Sequence, residues 1–346
     1  MEYYSCDYIQ NFYLMFNGDL DREKFMALCC EPLPIIPSVS IKDKEPSEIL
    51  DAFLEMRNNL IEYAKEYEEL HPGEKPPIDG CKDCSQFRKG AWSPKEKTPY
   101  INFSMYPSPC QCKCIYCNVC TPKVEFTEEL KQKYEKVFSV VDEAINRDLL
   151  APNTRFQVAC GEITIHPYKE KIYKYVENRC ATFYTNAFKF DEKIAEFLSK
   201  SPLNTINLSI DAGLSDTWEK VKGFNNFEKV LDNLYKYYKA SNSHNQIAIK
   251  YIVLPGINDS EEDFKNLINI LKRLKIAKLD VSRDTNYKYD KSYDKTKLIY
   301  SVAILYILCK LNKINPILYN TFSKEEQFMI LETAKIIAKG INGSSN

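Results

Sequence analysis

The sequence predicts an α/β chain: a partial (β/α)6 TIM-like barrel with an N-terminal cysteine-containing extension and C-terminal helices. Two observations lead there. From about Tyr100 onward, short β-rich runs alternate with helical patterns, the pattern of repeated βα units around a parallel sheet. Six strand runs can be read, fewer than the eight of a closed barrel, so an open barrel is expected, with ligands at the C-terminal ends of its strands.

The elements follow in order. Residues 1–95 form the extension, in which the Pro-rich stretches Glu31–Pro37 and Pro72–Gly80 bracket a charged helix over Pro46–Leu70. It ends in Asp79-Gly-Cys-Lys-Asp-Cys84, and Trp92–Pro99 reads as a linker. The barrel, residues 96–290, has strands near Tyr100–Tyr106, Arg155–Ala159, Ala181–Thr185, Thr205–Ile210, Ile247–Leu254 and Lys278–Ser282. Between them Thr127–Asp148, Tyr168–Glu177, Asp191–Ser199, Phe227–Ala240 and Ser260–Leu274 carry apolar residues at helical spacing. Thr127 before Glu128 and Glu129, and Ser260 before Glu261, Glu262 and Asp263, place a cap and negative charge at the positive end of the helix dipole. Residues 291–346 read as two helices, Lys295–Leu311 and Lys324–Lys339, with a polar end over Asn342–Asn346.

Composition excludes several classes. A net charge of −1 over 346 residues argues against nucleic-acid binding by bulk electrostatics, and no basic stripe with interleaved aromatics is present. No apolar run approaches the ~20 residues of a membrane span. The N-terminus, Met-Glu-Tyr-Tyr-Ser-Cys-Asp, lacks the charged and apolar regions of an export signal, so a cytoplasmic location is expected. In that reducing setting 13 cysteines are metal ligands or redox groups before they are disulfides. With three histidines, His71, His166 and His244, chemistry built on several imidazoles is not expected.

The cysteines carry most of the chemistry. Cys110, Cys114 and Cys117 form a CxxxCxxC loop directly after the first barrel strand, with Tyr116 before the last thiol. Three thiolates hold three irons of a 4Fe-4S cluster and leave the fourth open, although the spacing by itself also suits zinc. Cys112 and Cys120 flank the loop outside that spacing and read as bystanders, and Cys309 reads as a small core residue of an apolar helix.

From about Tyr100 to Ser282 the chain resembles the radical SAM superfamily. Cys110-Gln-Cys-Lys-Cys114-Ile-Tyr-Cys117 is similar to that family's cluster loop, and Gly161-Glu162 resembles its GGE element, with Cys160 in place of the first glycine. Thr185-Asn186 resembles the loop after the third strand, and Asn207–Gly213, with Ser209 and Asp211, the segment that binds the ribose and the methionine end. Lys250 is placed to neutralise the methionine carboxylate, or is a surface lysine; Leu254-Pro-Gly-Ile-Asn258, with Gly256 in it, resembles the turn lining the adenine. The resemblance implies a 4Fe-4S cluster, S-adenosylmethionine (SAM) cleaved to a 5′-deoxyadenosyl radical, and a flavodoxin- or ferredoxin-type electron donor. Trp218, Lys220 and Lys222, in the following helix, read as structural. Arg283 after the sixth strand contacts an anionic group or is a solvated loop residue, and His166 is a proton acceptor or a loop histidine without a role.

Upstream, Cys81-Lys-Asp-Cys84 is a CxxC turn with Cys30 as its first candidate partner, followed by Cys29 or Cys6. It suits a second, auxiliary 4Fe-4S cluster, or a zinc knuckle stapling a region with little core. Known auxiliary domains of the family follow the barrel, whereas these cysteines precede it. The expected function is hydrogen abstraction from a substrate C–H, leading to oxidation or rearrangement of a peptide or sugar-like small molecule. The alternatives are an epimerase using Cys160 or Cys180 as hydrogen donor, and a non-catalytic iron-sulfur or zinc protein.

Overall fold

The computed structural model describes residues 1–20, 26–29, 37–82, 84, 86–117, 120–121, 124–284, 294–319 and 321–343. Its elements run β1 (Tyr3–Ser5), α1 (Asp7–Gln10), β2 (Leu14–Asp19), β3 (Met26–Ala27), β4 (Ser38–Val39), α2 (Pro46–Leu70), β5 (Arg88–Gly90), β6 (Thr98–Tyr106), β7 (Ser108–Pro109) and β8 (Cys120–Thr121). They continue with α3 (Glu128–Asn146), β9 (Leu150–Val158), α4 (Lys169–Val176), β10 (Cys180–Tyr184), α5 (Glu192–Lys200), β11 (Thr205–Ser209), α6 (Ser215–Lys222) and α7 (Phe227–Ala240). The last are β12 (Ile247–Val253), α8 (Glu261–Arg273), β13 (Lys278–Arg283), α9 (Lys295–Leu311), β14 (Asn315–Leu318) and α10 (Lys324–Gly343). All six strands and all the helices read from the sequence are present.

The chain divides into two compact units. One comprises residues 1–109, 123–161 and 167–182, and the other residues 110–122, 162–166 and 183–346. The first unit contains a strand that the sequence reading did not place. β2 pairs in parallel with β6, Leu14 opposite Ile101 and Phe16 opposite Phe103, so the extension shares a sheet with the first barrel strand.

In the first unit the order is β9-β6-β2-β3-β4, parallel from β9 to β2 and antiparallel beyond it. Strands of a parallel sheet are covered on both faces and become apolar throughout. Phe16, Phe103, Phe138 and Phe156 accordingly pack at 0% exposure, with Phe156 stacked on Tyr175 at 6.1 Å between ring centroids. α2 begins at Pro46 with a reciprocal capping box between Glu45 and Glu48. It buries Ile49, Phe53, Arg57, Ile61 and Ala64, mostly one turn apart. The charged member of that stripe is satisfied by backbone: Arg57 donates to the carbonyls of Ile9 (2.6 Å), Gln10 (3.0 Å) and Lys95 (2.9 Å).

In the second unit strands run in the order β14-β13-β12-β11-β10, parallel from β14 to β11, with β10 contributing Phe183 and Tyr184. The helices between them are capped as the sequence indicates: Asp191 accepts from the Lys193 and Ile194 amides at α5, and Ser260 from the Asp263 amide at α8. α9 is apolar on nearly every face and buries Leu298, Val302, Leu305 and Cys309. Burial pushes the Cys309 thiol up to about 12, as expected of an inert core cysteine. The fold is thus α/β with a mostly parallel sheet that does not close on itself. Among the described residues no helix is long and apolar enough to cross a membrane.

Candidate functional site

The C-terminal ends of the second unit's strands collect the polar residues singled out in the sequence. Thr185 and Asn186 follow β10, Ser209 ends β11 with Asp211 two residues on, and Leu254 follows β12. This is the end at which α/β barrels hold their ligands.

The cysteine loop is anchored from several sides. Cys110, Cys114 and Cys117 are partly exposed, and the Cys117 amide donates to the Cys114 carbonyl at 3.0 Å, closing a tight turn. The Asn186 amide donates to Cys110 Sγ at 3.6 Å, and Gln111 donates to Asn186 Oδ1 at 3.2 Å. Cys112 is buried, and hydrogen bonds to Cys110 and Cys114 hold its own thiol protonated. It therefore touches the triad rather than standing apart from it. Nothing about the Cys120 side chain lies within the described residues.

Gly161 packs against the residue just before the loop: it has φ +59°, and a Cβ there would lie 2.4 Å from the Pro109 carbonyl oxygen, so only glycine allows this approach. Next to it Glu162 is 1% exposed. Its Oε1 accepts from Thr185 Oγ1 (2.9 Å) and the Thr164 amide (3.1 Å), and its Oε2 from the Asn186 amide (2.6 Å). Burial pushes this carboxyl up to about 7 against those hydrogen bonds, with the Cys110 thiolate adding to the rise.

Asp211 is the hub of the site. It adopts φ +52° and is fully buried. Its Oδ1 accepts from the Ile252 amide at 2.6 Å, and its Oδ2 from Tyr116 Oη at 2.6 Å and Lys222 Nζ at 2.5 Å. Both oxygens are engaged by protein, and the carboxylate braces the cysteine loop. Asn258 is likewise internal: its amide donates to the carbonyls of Asp211 (2.9 Å) and Ile252 (2.8 Å), while its oxygen accepts from the Leu254 amide (2.7 Å). That set of bonds closes the Leu254–Asn258 turn, with exposed Gly256 at its tip in a left-handed conformation, φ +83°.

Of the other expected residues, one stays beside Ser209 and two are buried. Lys250 stands between Ser209 and Asp280 in strand register, its ammonium 4.7 Å from the Tyr319 ring centroid, and burial lowers its pKa against the pull of Asp211 and Asp280. Arg283 is 7% exposed and donates to Glu326 at 2.8 Å, so it braces α10. His166 is buried, and burial lowers its pKa to about 3, leaving a neutral imidazole. Thr285–Asp290 lie outside the described residues.

Lys222 is the residue that sequence reasoning undervalued. Its ammonium is buried between Tyr116 and Asp211, and although burial alone lowers its pKa, Asp211 and Cys114 raise it overall. The signal was its spacing: Trp218 and Lys222, one turn apart in α6, share a face, and Trp218 is buried.

In the first unit, Cys6, Cys81 and Cys84 join one apolar cluster with Tyr3, Ile9, Ile61 and Phe87. Burial pushes the Cys81 thiol up to about 11. Cys29 is partly buried outside that cluster, and Cys30 lies outside the described residues. Among the described residues no three His, Cys, Asp or Glu side chains stand close enough together to hold a single metal ion, here or at the loop.

The strand ends of a mostly parallel α/β sheet thus gather a three-cysteine loop and polar side chains. Residues 109–268 match the family model of the Radical SAM superfamily. The chain is 28% identical over 163 residues to a GTP 3′,8-cyclase of Clostridium botulinum (strain Hall), covering 46% of this chain and 49% of that protein. It is 24% identical over 204 residues to a UPF0026 protein of Helicobacter pylori (strain ATCC 700392 / 26695), covering 55% and 65%. The chain spans about half the length of the curated cyclases it matches. Among solved structures it is similar to Streptococcus suis SuiB bound to the precursor peptide SuiA, with 16% identity, TM-score 0.49, and 77% and 54% coverage of the two chains. It is also similar to anSMEcpe with bound AdoMet, with 18% identity, TM-score 0.41, and 60% coverage of each chain.

Proposed function

We propose that this protein is a radical SAM enzyme acting on a C–H bond of a peptide or sugar-like substrate, with net oxidation or rearrangement. The observation that carries the reading is the loop itself: three partly exposed cysteines in one short segment at the ligand-bearing strand ends, held by Asn186 and by the Tyr116–Asp211 bond. These residues fit a cluster, since Cys110, Cys114 and Cys117 are all partly exposed and Asn186 already donates to a ligand sulfur. When bound, a 4Fe-4S cluster supplies the single electron that splits S-adenosylmethionine into methionine and a 5′-deoxyadenosyl radical.

The chain's own residues then divide into two groups. Asn186, Ser209 and Gly256, none of them fully buried, are the contacts for S-adenosylmethionine, with Lys250 as the nearby cation. Glu162, Thr185, Asp211 and Asn258, buried and bonded internally, keep the loops in place. Electrons come from a flavodoxin- or ferredoxin-type donor. A cysteine hydrogen donor has less support: Cys160 is 1% exposed, and Cys180 opens β10 at the end opposite Thr185.

A second cluster belongs to the same reading, with Cys81 and Cys84 as its first ligands. Cys6, which shares their apolar cluster, joins Cys29 and Cys30 as a candidate for the remaining ligands. Iron and sulfide counts after anaerobic reconstitution test the assignment. The wild type is expected to bind about eight irons and the Cys110→Ala/Cys114→Ala/Cys117→Ala variant about four. A wild type that binds no iron contradicts the cluster loop, and a variant that binds none contradicts the second centre.

A further inference from the structure

Asn186 follows β10 with its carboxamide aimed at the cysteine loop, and the sense in which that group is turned is fixed by its neighbours. The Phe188 backbone N–H donates to Asn186 Oδ1 at 2.9 Å. A backbone N–H cannot accept, so the oxygen faces Phe188 and the nitrogen is the atom turned away from it. That nitrogen donates to Cys110 Sγ at 3.6 Å. Gln111, the residue after Cys110, donates through Nε2 to the same Asn186 oxygen at 3.2 Å. Turned over, Gln111 would set its own oxygen against Oδ1, so each bond fixes the sense of the other. The backbone is held as well, since the Asn186 amide donates to Glu162 Oε2 at 2.6 Å.

The arrangement is not the most stable one available to these residues. Gln111 Oε1 is buried and meets no donor among the described residues. A buried acceptor without a partner costs about 1–3 kcal/mol. A leucine of similar volume would avoid that loss, so the glutamine calls for a reason, and the bond it donates to Asn186 supplies one.

We propose that the Asn186 carboxamide, locked by Phe188 and Gln111, makes the cluster that Cys110 carries easier to reduce through its N–H···S hydrogen bond, with Gln111 as the positioning residue. The proposal rests on the function proposed above. Hydrogen bonds to the sulfurs are among the features that set a cluster's potential. An electron from an external reductant adds one negative charge, part of it on the ligand sulfurs, and a donor already aimed at one of them bonds it more strongly after reduction. The direction of the effect follows from which atom faces the sulfur. The Asn186 and Gln111 carboxamides are both neutral. Glu162 keeps its place in every variant below, so its charge does not enter the differences.

Redox titration followed by electron paramagnetic resonance tests this on the reconstituted full chain, using dithionite as reductant and a pH well above the ordinary carboxylate range. S-adenosylmethionine is left out, so that contact between Asn186 and the cofactor does not enter. The signal absent from the Cys110→Ala/Cys114→Ala/Cys117→Ala variant is the one followed. Wild type, Asn186→Leu, Asn186→Asp and Gln111→Leu are compared. Asn186→Asp keeps an oxygen for Phe188 and Gln111 and changes only the atom facing Cys110, from a donor to an oxygen; it also serves if Asn186→Leu fails to fold. Both Asn186 variants are expected to titrate at a more negative midpoint than wild type, with Asn186→Asp displaced at least as far as Asn186→Leu. Gln111→Leu is expected between wild type and Asn186→Leu. A merely structural role gives the opposite order, because the aspartate preserves the bonds that hold the loop. A wild-type midpoint in iron-loaded Asn186→Asp overturns the proposal, as does failure of both Asn186 variants to bind iron that the wild type binds. A wild type without a cluster removes the proposed function, and this inference falls with it; a loaded wild type with unshifted variants removes the inference alone.

Discussion

Asp211→Ala is expected to cost roughly 3–5 kcal/mol of stability, the range for removing one partner of a buried ion pair. Three losses combine at this position. The Lys222 ammonium is left buried without its counter-charge, since both its hydrogen bonds run within the Tyr116–Asp211 pair. The Ile252 amide, 2.6 Å from Asp211 Oδ1, loses its acceptor. The backbone at φ +52° also suits aspartate better than alanine, because a short polar side chain eases the left-handed conformation. Asp211→Asn keeps an acceptor for Ile252 and is expected to lose less. Urea unfolding of the three proteins measures this, and a loss of under about 1 kcal/mol in the alanine variant contradicts the hub assigned to Asp211.

Gly213→Ala is expected to be more damaging still. A Cβ at this position would lie 1.9 Å from the Asp263 carbonyl oxygen, 2.7 Å from its carbonyl carbon and 2.9 Å from the Leu267 amide nitrogen. All three are backbone atoms of α8, so no rotamer change relieves the contact. The approach is enforced by the Asp263 carboxylate, whose Oδ1 accepts from the Gly213 and Leu214 amides at 2.9 and 3.2 Å and whose Oδ2 accepts from Thr217 Oγ1 at 2.8 Å. Overpacking a core with side-chain atoms costs about 1–3 kcal/mol. Moving a helix relative to the loop that carries Asp211 should exceed that range, and the variant should accumulate as insoluble protein. A soluble Gly213→Ala with the wild-type urea midpoint contradicts the close approach.

The six strands and their helices were legible because their apolar periodicity is strong and their caps are conventional. β2 was not, since Leu-Met-Phe-Asn-Gly-Asp carries an Asn-Gly pair that reads as a turn. β14 was hidden by Pro316, which demotes a short run to a loop, although this strand has a partner only on β13. At the site, the cysteine spacing was visible because its ligands are adjacent in sequence. The roles of Asp211, Asn258 and Lys222 were not, because each is fixed by partners 11 to 106 residues away. Similar reasoning applies upstream, where Cys6 meets Cys81 and Cys84 only through the packing of Tyr3, Ile61 and Phe87.

The central claim is that Cys110, Cys114 and Cys117 serve SAM cleavage, and one measurement tests it most directly. Anaerobically reconstituted full chain is incubated with dithionite and S-adenosylmethionine, and 5′-deoxyadenosine is quantified by mass spectrometry. The account predicts that 5′-deoxyadenosine forms with the wild type and not with the Cys110→Ala/Cys114→Ala/Cys117→Ala variant. A wild type loaded with iron and sulfide that forms none contradicts it.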